Sequence, residues 1–71
     1  MQRVVRVAFD KNGQITGRTV ISDRHETRPQ AIAAAEAEAI KHKPCGRNRQ
    51  DDRWWITFDR GRIHWLVIEN Y

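Results

Sequence analysis

The chain is poor in the features that mark exported and membrane-spanning proteins. Its one cysteine, Cys45, cannot form a disulfide within the chain, so we expect a fold without that bond and a reducing compartment. No apolar run is long enough to span a bilayer, and Arg6 interrupts the apolar stretch that an N-terminal signal peptide would need. We therefore expect a cytoplasmic protein that does not act at a membrane.

Signatures of catalysis and of metal binding are also lacking. The sequence has no glycine-rich phosphate loop, and its one acidic pair, Asp51 and Asp52, is adjacent rather than spaced as a general acid and base. A structural zinc site needs four ligands, commonly as two closely spaced pairs. Only one such pair occurs among the candidate ligands His25, His42, Cys45 and His64. We expect no metal, no cofactor and no enzymatic activity.

Basic residues, by contrast, are in excess. The 71 residues predict a single folded domain, 1–71, because 39% are hydrophobic and 31% are charged. The formal net charge is +4, and ten of the 13 basic residues are arginine. Arginine pairs bidentately with phosphate and carboxylate, which suits nucleic acid or an acidic protein surface. Residues 41–50, which contain Arg47 and Arg49 and no acid, are interpreted as a basic loop, either a binding element or a solvated connection.

The first third of the chain predicts a β-hairpin. Alternating apolar residues indicate strands over residues 3–9 and 14–22, joined by a turn at residues 10–13. A three-residue loop with Gly13 in the left-handed region would pair Phe9 with Ile15 and Val5 with Thr19, which gathers the apolar side chains on one face. In that register Arg6 lies opposite Arg18 on the outer face. This pair of like charges indicates either an anion-binding spot or two side chains splayed into water.

A helix is predicted next. Thr27 and Gln30 have the spacing of a capping box, and Pro29 suits the first helical turn. The alanine-rich segment that follows has high helix propensity and should end near residue 42 or 43, before Pro44. Its small-sided stripe should lie close on a sheet; the stripe consists of Ala31, Ile32, Ala35 and Ala39.

The C-terminal third predicts a second hairpin, with strands over residues 53–58 and 63–68. If Asp59 faces Arg62 across the turn, Phe58 pairs with Ile63 and Trp54 with Val67, which gives one wholly apolar face. The sequence thus predicts an α+β fold of two hairpins flanking one helix (ββαββ), with a four-stranded, mainly antiparallel sheet and the helix on one face. The expected core consists of Val5, Val7, Phe9, Ile15, Ile21, Ile32, Ala35, Ala39, Trp54, Ile56, Phe58, Ile63, Trp65 and Val67.

The outer face of the second hairpin is the leading candidate for a binding surface. The predicted register exposes Trp55, Leu66 and Ile68 there, beside Arg53 and His64. Exposed apolar patches mark interfaces, and tryptophan and arginine dominate binding hot spots. The alternative is that these residues close a second small core. The predicted partner-binding residues are Arg6, Arg18, Arg47, Arg49, Arg53, Trp55, His64 and Leu66.

Two classes of partner fit such a surface. The first is a host protein or ribonucleoprotein complex, and a homodimer through the same face is a further possibility. The second is nucleic acid, bound by Arg47, Arg49 and Arg53 with Trp55 as a stacking platform. A protein interface centred on tryptophan should tolerate salt, whereas binding to phosphates should weaken steeply with salt.

The layout also resembles a known group of proteins. A hairpin, a helix that begins Thr-Arg-Pro-Gln-Ala-Ile-Ala-Ala-Ala and a hairpin closed by Asp-Arg-Gly-Arg-Ile resemble small phage and prophage proteins, among them anti-CRISPR inhibitors and inhibitors of host RNA polymerase. The resemblance lies in architecture and length. It implies a non-enzymatic inhibitor that blocks a host complex in the host cytoplasm. Many such inhibitors are acidic mimics of nucleic acid, and the +4 charge departs from that pattern.

Overall fold

The computed structural model describes the backbone of residues 1–71 and the side chains of all of them except residue 59. It contains five strands and one helix. In chain order these are β1 (Gln2–Phe9), β2 (Ile15–His25), α1 (Arg28–Ala39), β3 (Cys45–Asn48), β4 (Arg53–Thr57) and β5 (Ile63–Asn70), with a short 3₁₀ turn (Asp59–Gly61) before β5.

All five strands form one antiparallel sheet in the order β2-β1-β5-β4-β3. The predicted α+β class is confirmed, but the four-stranded ββαββ arrangement is wrong, because residues 45–48 form a fifth strand. Cys45 pairs with Ile56, and Asn48 pairs with Arg53. The segment Cys-Gly-Arg-Asn has no strand propensity of its own, so its pairing depends on the edge that β4 presents.

The first hairpin follows the predicted register at one position only. Phe9 pairs with Ile15, and Gly13 has a φ of 80°, as the three-residue loop requires. A β-bulge directly after that pair shifts the partners of residues 5–8 by one, so Val5 pairs with Val20 rather than with Thr19, and two further irregularities shift the partners of Val4 and Gln2 by more. Arg6 consequently pairs with Thr19, and the predicted opposition of Arg6 and Arg18 is wrong.

The helix begins as the sequence predicts. The Thr27 side chain accepts from the Gln30 amide, and the Gln30 side chain accepts from the Thr27 amide, which completes the capping box. The helix ends at Ala39, earlier than predicted, and the next residues continue in tighter turns that hydrogen-bond back to it. Ala31, Ala35 and Ala39 are buried against the sheet, and Ile32 lies at their edge.

The second hairpin is displaced by one residue from its predicted register. Thr57, not Phe58, pairs with Ile63, because the turn is lengthened by the 3₁₀ segment, where Arg60 and Gly61 both have positive φ. The expected facing of Asp59 and Arg62 lies outside the described residues. Since side chains alternate along a strand, this displacement exchanges the two faces of β5 relative to β4. Trp54 therefore pairs with Leu66, and Trp55 pairs with Trp65.

The core under the helix accordingly differs from the predicted one. It contains Val4, Ala31, Ala35, Ala39, Trp54, Ile56 and Leu66. Val4, Ala31 and Leu66 were not predicted, whereas three predicted core residues, Phe9, Ile15 and Ile63, are exposed. Phe58, Trp65 and Val67 are half-buried, as are Ile21 and Ile32 at the edge of the core. Val5 and Val7 are buried as predicted, but on the face of the sheet opposite the helix.

Candidate functional site: the helix-free face of the sheet

The face of the sheet opposite α1 is the candidate binding surface. Because α1 packs on Val4, Trp54, Ile56 and Leu66, the alternate residues of each strand point to the other side. We call this side the helix-free face. It consists of Arg3, Val5, Val7, Phe9, Ile15, Arg18, Val20, Arg53, Trp55, Thr57, Ile63, Trp65, Val67 and Glu69.

The centre of the helix-free face is desolvated although no helix lies on it. Val5 is fully buried and Val7 is 6% exposed. Val5 lies between Val20 on β2 and Val67 on β5, and Val7 lies beside Trp65. Side chains on both flanking strands close over the central strand. The apolar centre of the face is therefore already excluded from water, and a partner would contact the side chains around that centre.

Those margins are exposed and apolar. Four large hydrophobic side chains of this face remain open to solvent: Phe9 at 39%, Ile15 at 58%, Val20 at 50% and Ile63 at 47%. The other exposed large hydrophobic residues, among the described side chains, are at the chain ends and at the helix C-terminus. A contiguous apolar patch of this kind on one face is typical of an interface.

A pair of tryptophans stands at the β4–β5 side of the face. Trp55 and Trp65 are directly opposite each other on neighbouring strands, and both are half-exposed. Gly46 on β3 makes room for Trp55, since a Cβ atom there would lie 2.6 Å from Cε2 of the indole ring. The Trp55 ring therefore packs directly against the Gly46 backbone of the edge strand β3.

Arginines flank the apolar surface. The Arg53 guanidinium lies 4.5 Å from the centre of the Trp65 ring, and its Nε is buried without a hydrogen-bond partner among the described residues. Arg3 and Arg18 both bind the Glu69 carboxylate. The hydrogen bond from Arg18, with a second from Arg3, lowers the pKa of Glu69 below its usual value. Arg53 in turn binds the Asp51 carboxylate at 3.4 Å, so three arginines are paired with two carboxylates and one net positive charge remains.

Four of the predicted partner-binding residues lie on the helix side of the sheet: Arg6, Arg47, His64 and Leu66. Leu66 is fully buried under the helix, so a partner could not contact it in this structure. His64 stacks on Phe58 with 4.8 Å between ring centres, and Arg6 lies 4.1 Å from the centre of the same Phe58 ring. The displaced register of β5 places Leu66 and His64 there, and Arg6 is there because Val4, rather than Val5, faces the helix.

Arg47 has a structural position that the sequence did not indicate. Its guanidinium binds Glu36 of the helix at 3.0 Å and Asp52 of the β3–β4 turn at 3.0 Å, and it lies 5.1 Å from the Trp54 ring centre. Arg28, at the helix start, binds Asp52 as well. Hydrogen bonds from Arg47 and then Arg28 lower the pKa of Asp52. The predicted basic loop is thus bound to the helix through Arg47, and Arg49 is exposed beside it.

Trp55 and Arg53 were predicted on the outer face of the second hairpin and Arg18 on the outer face of the first, and the structure has all three on the helix-free face. Trp65, Ile15 and Ile63, which had been assigned to the core, and Val20, which had no predicted role, complete the surface. The signal that could have revealed them is the run of apolar residues at positions 4, 5 and 7. A strand that is apolar on both faces is typical of a central strand, and it predicts apolar neighbours on both sides of the sheet.

Other kinds of site find little support in the described part of the chain. No group of three or more His, Cys, Asp or Glu residues could hold a metal ion there. Surface depressions of about 660, 310 and 580 Å³ adjoin residues 41–43, the helix–β3 groove and the first hairpin turn. Ser22 Oγ lies 2.6 Å from His25 Nε2, but neither residue lines any of these three depressions. No described helix has the length and apolar character needed to cross a bilayer.

Comparison of the chain with protein-family models, curated proteins and solved structures found no match.

Proposed function

We propose that this chain is a non-enzymatic binding protein whose helix-free face docks on an acidic protein surface. The observation that carries the proposal is the set of exposed side chains Phe9, Ile15, Val20 and Ile63, which lie on the same face of the sheet as the Trp55–Trp65 pair. Aliphatic and aromatic side chains around a dry centre suit a protein partner, because such a partner can bury all of them at once.

The charge of the helix-free face indicates which kind of protein partner it would bind. The three arginines of the helix-free face are paired with Glu69 and Asp51, which leaves one net positive charge. A second copy of the chain docked on this face would bring two positive surfaces together, which opposes a homodimer. An acidic partner would instead be attracted by the field, and Arg53, stacked on Trp65, would contribute both charge and contact area.

The phage-inhibitor role is a finer proposal with a narrower basis. It rests on the resemblance in layout, and the fifth strand departs from the hairpin-helix-hairpin plan on which that resemblance depends. What the proposal adds is a mode of action, namely occlusion of a host protein or ribonucleoprotein complex without chemistry.

The test compares capture of acidic host proteins by immobilised chain and by two matched variants. Ile15→Ser combined with Ile63→Ser removes exposed apolar groups from the helix-free face, and we expect it to abolish capture. Ile40→Ser is the control, because Ile40 is 62% exposed at the helix C-terminus, away from that face. Trp55→Ala should weaken binding by on the order of 2 kcal/mol, the size expected of an anchor.

Equal capture by the Ile15/Ile63 variant and by the wild type, with both folded by circular dichroism, would refute the proposed surface. Loss of capture in the Ile40 variant alone would move the interface to the helix C-terminus. Binding that survives about 0.5 M salt is expected of an apolar interface, whereas full loss of binding at that salt would contradict an apolar centre.

A further inference from the structure

Three connections of the chain meet at one end of the molecule. The turns at residues 10–14 and 58–62 are adjacent, since Ala8 pairs with His64 and both turns line one depression of about 580 Å³. The segment at residues 40–44 joins them, because the Thr57 amide donates to the carbonyls of His42 and Pro44 at 3.2 Å. We call these three connections, with the contacting side chains of Arg6 and Glu38, the loop end.

Most of the net charge of the protein is at the loop end. In the sequence it has six basic residues against three acidic ones, while the rest of the chain has seven basic and six acidic. Three of the four net positive charges are therefore concentrated here. The basic residues are Arg6, Lys11, Lys41, Lys43, Arg60 and Arg62.

The cations of the loop end also differ from the others in their partners. Elsewhere, five of the seven basic side chains form ion pairs; these are Arg3, Arg18, Arg28, Arg47 and Arg53. At the loop end only Lys41 does so among the described side chains, with Glu38 at 3.6 Å. The Asp10 carboxylate accepts from the backbone amides of Asn12 and Gln14 at 2.8 and 2.9 Å. Arg6 lies over the Phe58 ring, so four cations of the loop end have neither an ion pair nor a ring contact among the described side chains. These four are Lys11, Lys43, Arg60 and Arg62.

The spacing of these cations suits an extended polyanion. They are spread over three connections rather than gathered about one point: Lys43 lines a depression of about 660 Å³, and Lys11 and Arg62 line a second one of about 580 Å³. The smallest extent of the molecule is 21 Å, and duplex DNA carries one negative charge per roughly 1.7 Å of its axis. Several backbone phosphates therefore fall within reach of the loop end at once.

We propose that the loop end binds the phosphodiester backbone of double-stranded nucleic acid without reading its sequence. This site is distinct from the residues that the sequence suggested for nucleic acid, since Arg47 is held by Glu36 and Asp52 and Arg53 is stacked on Trp65. It goes beyond the proposed protein-docking face and does not depend on it. A bare duplex tests it with no protein partner present.

The test measures binding of a fluorescent duplex of about 20 base pairs by anisotropy between roughly 50 and 200 mM KCl. Arg60→Gln combined with Arg62→Gln removes two exposed loop-end cations that form no described ion pair. Arg24→Gln combined with Arg49→Gln removes two exposed cations elsewhere that likewise form no ion pair with the described side chains. The two double variants are also matched in backbone conformation, because Arg60 and Arg24 both have a positive φ, at 56° and 61°.

We expect the loop-end variant to bind at least about tenfold more weakly, and the slope of log K against log salt to fall by about 0.9 for each phosphate that is no longer neutralised. The control should stay within about twofold of the wild type. Equal weakening in both variants would overturn the site, since only the total charge would then matter. Absence of duplex binding at the lowest salt would overturn it too, as would preferential binding to phosphatidylserine vesicles, which would assign the surface to a membrane.

Discussion

Truncation of Leu66 distinguishes the observed register of the second hairpin from the one that the apolar pattern favours. In the structure Leu66 is fully buried beneath α1, whereas Ile63 is 47% exposed on the helix-free face. In the register that pairs Phe58 with Ile63 these two environments are exchanged. Leu66→Ala and Ile63→Ala are therefore a matched pair whose relative cost reports the register.

The two costs should differ severalfold. Removal of a buried leucine side chain costs about 2–5 kcal/mol, because the lost transfer energy is increased by the cavity that remains. A 71-residue domain has roughly 4–10 kcal/mol of total stability, so Leu66→Ala removes a large part of it. Ile63 is only about half-buried, so truncation there should cost less than about 1 kcal/mol.

Urea unfolding followed by tryptophan fluorescence is the direct assay. With an m-value of about 1 kcal/mol per molar urea, Leu66→Ala should lower the midpoint by about 3 M, and the Tm should fall by on the order of 10–20 °C. Ile63→Ala should remain within about 1 M of the wild type. A larger loss of stability in Ile63→Ala than in Leu66→Ala would refute the observed register and, with it, the composition of the helix-free face.

Two further perturbations test the surroundings of the proposed surface. Gly46→Ala should displace the Trp55 ring, since the new Cβ would lie 2.6 Å from Cε2 of that ring. We expect a red-shifted tryptophan emission and a loss of about 1–3 kcal/mol of stability. An unchanged emission spectrum would show that the Trp55 ring does not pack against Gly46. Glu69→Gln should reduce the loss of unfolding free energy at acid pH. Arg18 and Arg3 lower the pKa of Glu69 in the folded state, so the stability that its carboxylate contributes is present above the unfolded pKa and is lost as the pH falls through the folded pKa. Urea midpoints at about pH 7 and pH 3 measure this, with Asp23→Asn on the exposed edge strand as the control; equal pH dependence in Glu69→Gln and the wild type would contradict it.

Local signals in the sequence determined the helix and the turn of the first hairpin. The capping box at Thr27 and the left-handed Gly13 are both present, because each depends on contacts within a few residues. The buried alanines of the helix were also predictable from their spacing. The alternation along β4 likewise placed Trp55 and Arg53 on one exposed face, although it could not say which residues would join them.

Register and strand number were decided by the tertiary structure. The apolar pattern was interpreted as one apolar face per hairpin, but β1 is flanked by β2 and β5 and is buried on both faces: Val4 and Val5 point to opposite sides of the sheet, and both are fully buried. A bulge in β2 and a longer turn before β5 accommodate this arrangement, and each moves a row of side chains to the other face.

The charges show the same division between sequence and structure. The sequence by itself determined the excess of arginine and the net charge of +4, but not which cations would be neutralised. Ion pairs such as Arg47–Glu36 and Arg18–Glu69 join residues 11 and 51 positions apart in the chain. Only the packing of helix and strands brings these charges together. At the loop end it leaves most cations without such partners among the described side chains, because Asp10 is engaged by backbone amides and Glu38 by His42 and Lys41.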